Sequence, residues 1–211
     1  MKNLIIITSV INISDNPLDY TNVRSIYSTR ERYEQTIKTI ESCKLVNNSH
    51  ILFIETSDLN KVMEDNIKLL TDYYVNLTDN EEVRNVIDGP TKGKGEATQI
   101  WHGLDNVDIT RYDNIFKISG RYWLNENFHY DMYDNEDNVY KEGPGRRTLG
   151  TASYKINKKN YDRYLECLEY CKNSNEQLEK IFAMFLKKNY ITYDKIGLSG
   201  YVSVDGNLID W

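Results

Sequence analysis

The feature that most constrains the fold of this chain is a run of apolar, mostly β-branched residues close to its start. Leu4 to Val10 reads Leu-Ile-Ile-Ile-Thr-Ser-Val, and its apolar residues are consecutive rather than alternating. A strand with one buried face alternates apolar and polar residues, whereas a strand buried on both faces does not. The run therefore predicts a central strand of a parallel sheet that is covered on both sides. It is too short to span a bilayer.

Helical patterns separate this run from three further short strands. The capping box Ser28-x-x-Glu31 begins the first helix. Later strands are predicted at Ile51 to Ile54, Tyr73 to Leu77 and Asn114 to Ser119. Strands that alternate with helices form parallel sheets. We therefore predict a single α/β domain, related to the Rossmann fold, in which a mostly parallel central sheet has helices on both faces.

The remaining segments complete this prediction. The stretch from Asp79 to Glu96 is polar and is predicted to be a long loop. Two helices are predicted in the second half, from Asn160 to Lys172 and from Ser174 to Lys188, the latter beginning with a Ser174-x-x-Gln177 cap. Further strands are predicted at Thr148 to Ile156 and at Gly200 to Val204.

The charge balance and the cysteines limit the partners of the chain. Lys and Arg number 26 against 32 Asp and Glu, a net charge of −6, which disfavours binding to nucleic acid or to an anionic membrane. The 3 cysteines form no Cys-x-x-Cys pair, which suits a reducing compartment. Because no signal-peptide pattern is present, we expect a cytoplasmic protein without a membrane span.

Polar residues follow the predicted strands, at the edge where open α/β sheets bind their ligands. Thr8 and Ser9 end the first strand, and Asp79 follows the third. Arg121 follows the fourth strand, where it could hold a diphosphate with two parallel hydrogen bonds or form a structural salt bridge. Arg30, at the start of the first helix, is the arginine of that region best placed to point over this edge, and an exposed surface arginine is the alternative. These residues predict a polar, anionic ligand that carries hydroxyl groups.

A glycine-rich segment, Gly89 to Gly95, opens directly into a helix and contains Lys94. Glycines permit close backbone approach, and a helix N-terminus favours phosphate. Lys94 and Gly95 are therefore candidate phosphate contacts, although an ordinary surface turn is the alternative. The segment has neither the Walker spacing nor the position of a dinucleotide fingerprint. A second basic turn contains Arg146 and Arg147.

Several short segments resemble small GT-A-fold glycosyltransferases. The resemblance is to virus-encoded enzymes, such as those that glycosylate the capsids of chloroviruses, and to bacterial surface-polysaccharide transferases. It implies a nucleotide-sugar half at about 1–125 and an acceptor half at about 126–211. The segments that carry it are Leu4 to Ile11, Arg24 to Arg32, Gln35 to Ile37, Lys92 to Ala97, Phe116 to Tyr122 and Gly197 to Gly206.

The resemblance implies transfer of a hexose from a nucleoside-diphosphate sugar, with a UDP-sugar favoured, to a hydroxyl of a glycan or glycoprotein. Thr8, Ser9 and Asp79 would then hold the base and ribose. Family members usually bind Mn²⁺ through an Asp-x-Asp motif at the end of the fourth strand, but Gly120-Arg121-Tyr122 stands there. Either Arg121 replaces the cation beside the diphosphate, or a carboxylate elsewhere binds it, and Asp79 is the nearest substitute.

A transferase of this kind also needs a carboxylate that removes the proton of the acceptor hydroxyl. Glu176, Glu179, Asp205 and the acidic loop that begins at Asp131 are the candidates in the acceptor half. Glu176 is chosen as the base, because the first turn of the predicted helix would keep it ionised. A merely structural helix-start residue is the alternative.

Two other functions stay open. A sugar-nucleotide nucleotidyltransferase would have a glycine-rich loop directly after the first strand, whereas Asn12 to Asn22 contains no glycine. A non-catalytic module that binds sugar nucleotides or glycans, as one domain of a longer polypeptide, is also compatible with the sequence.

Overall fold

The computed structural model describes residues 1–143, 148–186 and 190–211. Within them lie ten strands and six α-helices. The strands are β1 (Asn3–Ser9), β2 (Ser49–Glu55), β3 (Tyr73–Asn76), β4 (Asn114–Ser119), β5 (Tyr122–Leu124), β6 (Asn138–Glu142), β7 (Leu149–Asn157), β8 (Tyr190–Tyr193), β9 (Leu198–Tyr201) and β10 (Leu208–Asp210). The helices are α1 (Thr29–Ser42), α2 (Lys61–Leu70), α3 (Glu81–Ile87), α4 (Lys92–Leu104), α5 (Tyr161–Asn173) and α6 (Leu178–Phe185).

Seven strands form the central sheet in the order β3-β2-β1-β4-β7-β6-β8. All neighbours pair in parallel except β7, which runs antiparallel to β4 and to β6. The prediction of a mostly parallel central sheet is therefore confirmed. The chain moves outward from β1 to β3 and then returns to the other side of β1 with β4. This reversal places a topological switch point between the carboxyl ends of β1 and β4, where such sheets bind ligands.

The first strand is buried on both faces, as its unbroken apolar run predicted. Leu4, Ile5, Ile6 and Ile7 have no exposed surface. Leu4 and Ile6 belong to the core that includes residues of α4, α5 and α6, and Ile5 and Ile7 to the core that includes residues of α1 and α2. Helices therefore cover both faces of the sheet. None of the described helices combines the length and the apolar character that a membrane crossing requires.

A small antiparallel sheet, β10-β9-β5, lies beside the end of β4 and closes one side of the switch point. The C-terminal segment also holds the long loop that follows β1. The Ser203 hydroxyl donates to the carbonyl oxygen of Arg24 at 2.9 Å, and the Ile26 N–H donates to the Ser203 carbonyl oxygen at 2.8 Å. Residues from both ends of the chain therefore lie close together beside the loop that follows β1.

Two predicted elements are wrong. The stretch predicted as one long loop contains α3, which Asn80 caps by accepting a hydrogen bond from the Val83 N–H at 3.0 Å. The helix predicted from Ser174 begins only at Leu178, because the Ser174 hydroxyl accepts from the Glu176 N–H at 3.0 Å in a local turn. The predicted end of that helix, Lys188, lies outside the described residues.

Candidate functional site

The switch point is built from the adjoining ends of β1 and β4, where Thr8 and Ser119 are paired in the register of the two strands. The Gly120 N–H extends this pairing by donating to the Thr8 carbonyl oxygen at 2.9 Å. A Cβ at Gly120 would lie 3.1 Å from that oxygen and 3.3 Å from the Ser9 side chain. Glycine therefore allows the turn after β4 to pass close over the end of β1, and it brings Arg121 to this point.

Four cationic side chains gather around the switch point, and we call them the cation cluster: Arg24, Arg32, Lys92 and Arg121. The pKa of Lys92 is lowered to about 8, chiefly by burial and further by the positive charges of the three arginines. The pKa of Arg32 is lowered to about 9, again chiefly by burial and then by the charge of Arg121. Such a concentration of positive charge is unexpected in a chain of net charge −6. A bound anion would relieve this repulsion.

Two members of the cluster are fixed by main-chain oxygens. The Arg24 guanidinium donates to the consecutive carbonyls of residues 87–89, at 3.2 Å for the first and 2.9 Å for the second. Arg32 donates to the Val10 carbonyl oxygen from Nε at 2.9 Å and from Nη2 at 2.5 Å. Carbonyl oxygens carry only partial charge. The two arginines therefore order the loops around the switch point, and these contacts leave their positive charge unneutralised.

The other two members keep hydrogen-bond donors available for a ligand. Arg121 donates from Nη1 to the Tyr201 carbonyl oxygen at 3.2 Å, and within the described residues its other donors have no partner. Lys92 Nζ makes no hydrogen bond to any described residue. Lys92 is also the first residue of α4, whose N-cap, Thr91, makes no side-chain cap bond. The first turn of α4 therefore adds free N–H groups beside the ammonium group.

A buried ion pair lies beneath the cluster. Lys117 has no exposed side-chain surface, and its ammonium group donates to Glu96 Oε1, to Ser119 Oγ at 2.7 Å and to the Thr151 carbonyl oxygen at 2.8 Å. Glu96 Oε1 also accepts from Thr8 Oγ1 at 3.0 Å and from Ser119 Oγ at 3.1 Å. The Thr8 hydroxyl is therefore directed into this network, which anchors α4 to the ends of β1 and β4.

A second carboxylate, Glu179 of α6, lies close to Lys117 near the switch point. Its Oε1 accepts a hydrogen bond from Thr151 Oγ1 at 3.0 Å, and the residue is partly exposed. Burial lowers the pKa of Lys117, and the negative charges of Glu96 and then Glu179 oppose that shift, so both carboxylates are close to this lysine. Glu179 reaches this position because α6 begins against α4, where Gly93 lies close to Leu178.

The predicted phosphate contacts differ in their position and in their burial. Arg121 lies at the switch point, and Lys94 is partly exposed in the first turn of α4. Gly95 is buried, and a Cβ there would lie 3.3 Å from the Ile87 Cα, so this glycine allows α3 and α4 to pack closely. Ser9 is also buried, and its carbonyl oxygen accepts from Gln99 Nε2 at 2.8 Å. Arg146 and Arg147 lie outside the described residues.

The predicted orientation of Arg30 is wrong. Its side chain is 84% exposed and forms an i,i+4 ion pair with Glu34 at 3.0 Å. Each helical residue turns the side-chain direction by about 100°, so Arg32, two positions later, points to nearly the opposite side and reaches the Val10 carbonyl oxygen after β1. Arg32, and not Arg30, therefore has the helical phase that directs an arginine of α1 toward the end of β1.

Asp79 and Glu176 do not reach the switch point. Asp79 is exposed after β3, an edge strand about 14 Å from β4 at the usual strand spacing, so it cannot substitute there for a missing Asp-x-Asp motif. No three His, Cys, Asp or Glu side chains of the described ranges are grouped to hold a metal ion. Glu176 is exposed in the turn before α6, so its predicted place in a helical first turn is wrong.

No protein-family model and no curated protein sequence matches this chain. Among solved structures, the chain is similar to a glycosyltransferase involved in the glycosylation of the major capsid of PBCV-1. The TM-score is 0.52 at 8% identity, over 92% of this chain and 82% of that one. It is similar to core-mannan synthase A from Aspergillus fumigatus, in its Mn/GDP form, with a TM-score of 0.52 at 8% identity over 94% and 74% of the two chains.

A nucleoside-diphosphate-sugar pyrophosphorylase from Vibrio cholerae RC9 is similar as well, with a TM-score of 0.51 at 14% identity over 92% and 93% of the chains. At such low identities these likenesses concern the fold. The chain therefore has the GT-A-like α/β fold, as the resemblance of its sequence segments predicted.

Proposed function

We propose that this chain is a glycosyltransferase that moves a hexose from a UDP-sugar to a hydroxyl of a glycan or glycoprotein. The observation that carries the proposal is the cation cluster at the switch point of a GT-A-like sheet, in a chain that is acidic as a whole. A nucleoside diphosphate is a multiply charged anion of the size that two strand ends and a helix N-terminus can hold. The choice of uridine rests on the family resemblance.

In this proposal the leaving diphosphate lies between Lys92 and Arg121. As the bond between the anomeric carbon and the diphosphate oxygen breaks, the electron pair goes to that oxygen. Positive groups that are already in place stabilise this charge without reorganising at the moment of reaction. Arg24 and Arg32 contribute because carbonyl oxygens hold them in position.

Glu179 is assigned the role that the sequence prediction gave to Glu176. The acceptor hydroxyl attacks the anomeric carbon, a new carbon–oxygen bond forms, and the proton passes to a carboxylate. Glu179 belongs to the proposed acceptor half, is partly exposed, and is held by Thr151 Oγ1 at 3.0 Å. Because Thr151 contacts only Oε1, the second oxygen can accept the proton.

The proposed function is tested by titrating the protein calorimetrically with UDP-, GDP- and dTDP-sugars and by following hydrolysis of each donor. We expect a UDP-sugar to bind most tightly and to release UDP. Tighter binding of a GDP-sugar would contradict the choice of donor, and binding without any turnover would favour the non-catalytic module. Release of pyrophosphate from UTP and a sugar 1-phosphate would instead identify a nucleotidyltransferase.

The affinity for UDP is expected to fall as the pH rises above about 8. Lys92 has a pKa of about 8 in the free protein, so it carries its charge below that pH and loses it above. Binding should therefore be about 10-fold weaker at pH 9 than at pH 7, as expected for one required proton. In Lys92→Arg the affinities at the two pH values should agree within about 2-fold, because arginine keeps its positive charge across this range. Equal affinity of the wild type at the two pH values would exclude this role of Lys92.

A further inference from the structure

The end of β4 carries no metal-binding motif. The resemblance places an Asp-x-Asp motif here, yet Ser119, Gly120 and Arg121 occupy the position, and Arg121 brings a positive charge to it. Divalent cations of this kind require several oxygen ligands, and carboxylates supply the compensating charge. The side chain at this strand end is therefore positively charged, whereas Mn²⁺ needs negatively charged oxygen ligands.

Glu96 and Glu179 do not fit a metal site either. Glu96 Oε1 already accepts hydrogen bonds from Lys117, Thr8 and Ser119. Glu179 is on a different helix and accepts from Thr151. Throughout the part of the chain that the structure describes, no third ligand joins them in a metal-binding group. A divalent cation here would face the four positive side chains of the cation cluster.

The positively charged side chains of the cation cluster are suited to binding a diphosphate directly. Lys92 and the free donors of Arg121 can contact phosphate oxygens directly, while Arg24 and Arg32 are held in place by carbonyl oxygens. Arginine matches phosphate with two parallel hydrogen bonds, and lysine supplies a compact charge. Together they provide more positive charge than one divalent cation.

We propose that Lys92 and Arg121, supported by Arg24 and Arg32, replace the divalent cation, so that donor binding and sugar transfer proceed without metal. The inference rests on the proposed function. In the transfer step, the acceptor oxygen bonds to the anomeric carbon as the bond to the diphosphate oxygen breaks. The electron pair stays on the diphosphate beside Lys92 and Arg121, and the acceptor proton goes to Glu179.

The test is a calorimetric titration of UDP into metal-stripped protein, once in excess EDTA and once in millimolar Mn²⁺. Affinities that agree within about 2-fold, and equal rates of UDP-sugar hydrolysis in the two buffers, are expected. Lys92→Met should weaken binding in EDTA by about 10- to 150-fold, the range for a charge-assisted contact. Lys61→Met, the same substitution at an 84% exposed lysine that begins α2 and pairs with Asp65, should change it by less than about 2-fold.

Binding of UDP only when Mn²⁺ is present would overturn this inference while supporting the proposed function. Equal loss of affinity in the two lysine variants would also overturn it, because bulk charge rather than the cluster would then hold UDP. If UDP fails to bind in either buffer, both proposals fail.

Discussion

Replacing Glu179 by Gln is expected to lower the rate of UDP-sugar hydrolysis by about 10²- to 10⁴-fold, the usual contribution of a positioned general base. Glutamine has the same shape and can still accept the hydrogen bond that Thr151 Oγ1 donates to Glu179 Oε1 at 3.0 Å. It cannot accept the proton of the attacking water or acceptor hydroxyl. The variant should therefore fold normally and bind UDP with wild-type affinity.

Glu176→Gln is the matched control for this experiment. The residue is three positions away and is exposed in the turn before α6, so its removal should leave both hydrolysis and UDP affinity unchanged. Near-normal hydrolysis by the Glu179 variant would show that the base lies elsewhere, and Asp205 and Asp131 would be tested next. If Glu176→Gln hydrolyses the UDP-sugar slowly and Glu179→Gln hydrolyses it at the wild-type rate, Glu176 is the base, as the sequence predicted.

Replacing Arg121 by Lys is expected to weaken UDP binding by about 10- to 150-fold, although the positive charge is kept. The planar guanidinium can donate two parallel hydrogen bonds to a phosphate, and an ammonium group cannot. The arginine is also oriented by the Tyr201 carbonyl oxygen at 3.2 Å, and lysine lacks the fork to keep this contact and reach the ligand together. Calorimetric titration of UDP measures the change.

Arg30→Lys is the control for Arg121, because Arg30 is an exposed arginine that ion-pairs with Glu34 on the surface of α1. Its affinity for UDP should equal that of the wild type. An Arg121→Lys protein that keeps its folded circular-dichroism spectrum and binds UDP as tightly as the wild type would remove Arg121 from the site.

The sheet could be predicted because its signals are local. A mostly apolar segment that is buried on both faces is typical of a central strand in a parallel sheet, as at Leu4 to Val10 and Asn114 to Ser119. The carboxyl ends of these strands therefore mark the ligand-binding edge. The same reasoning predicted that Arg121 lies at this edge, since it directly follows a strand. Helix α3 was missed because only two of its residues, Val83 and Ile87, are buried apolar residues among charged ones.

The remaining site residues depend on information that local patterns do not contain. The choice between Arg30 and Arg32 is a question of helical phase, which is fixed by how α1 packs on the sheet. The predicted helical position of Glu176 is wrong because Ser174 forms a local turn, and the helix begins at Leu178 rather than directly after Ser174. Lys117 did carry a signal, because a lysine between Phe116 and Ile118 in a buried strand needs a buried partner. That partner, Glu96, comes from a distant segment.

A crystal structure of the protein with UDP would test the position of the diphosphate most directly. We expect phosphate oxygens within about 3.2 Å of Lys92 Nζ and of the Arg121 guanidinium, at the ends of β1 and β4. The Glu179 carboxylate should face the side of the diphosphate that the cation cluster does not cover, where the acceptor would bind. A diphosphate bound away from the cation cluster, for example beside Asp79 at the end of β3, would contradict the proposed site.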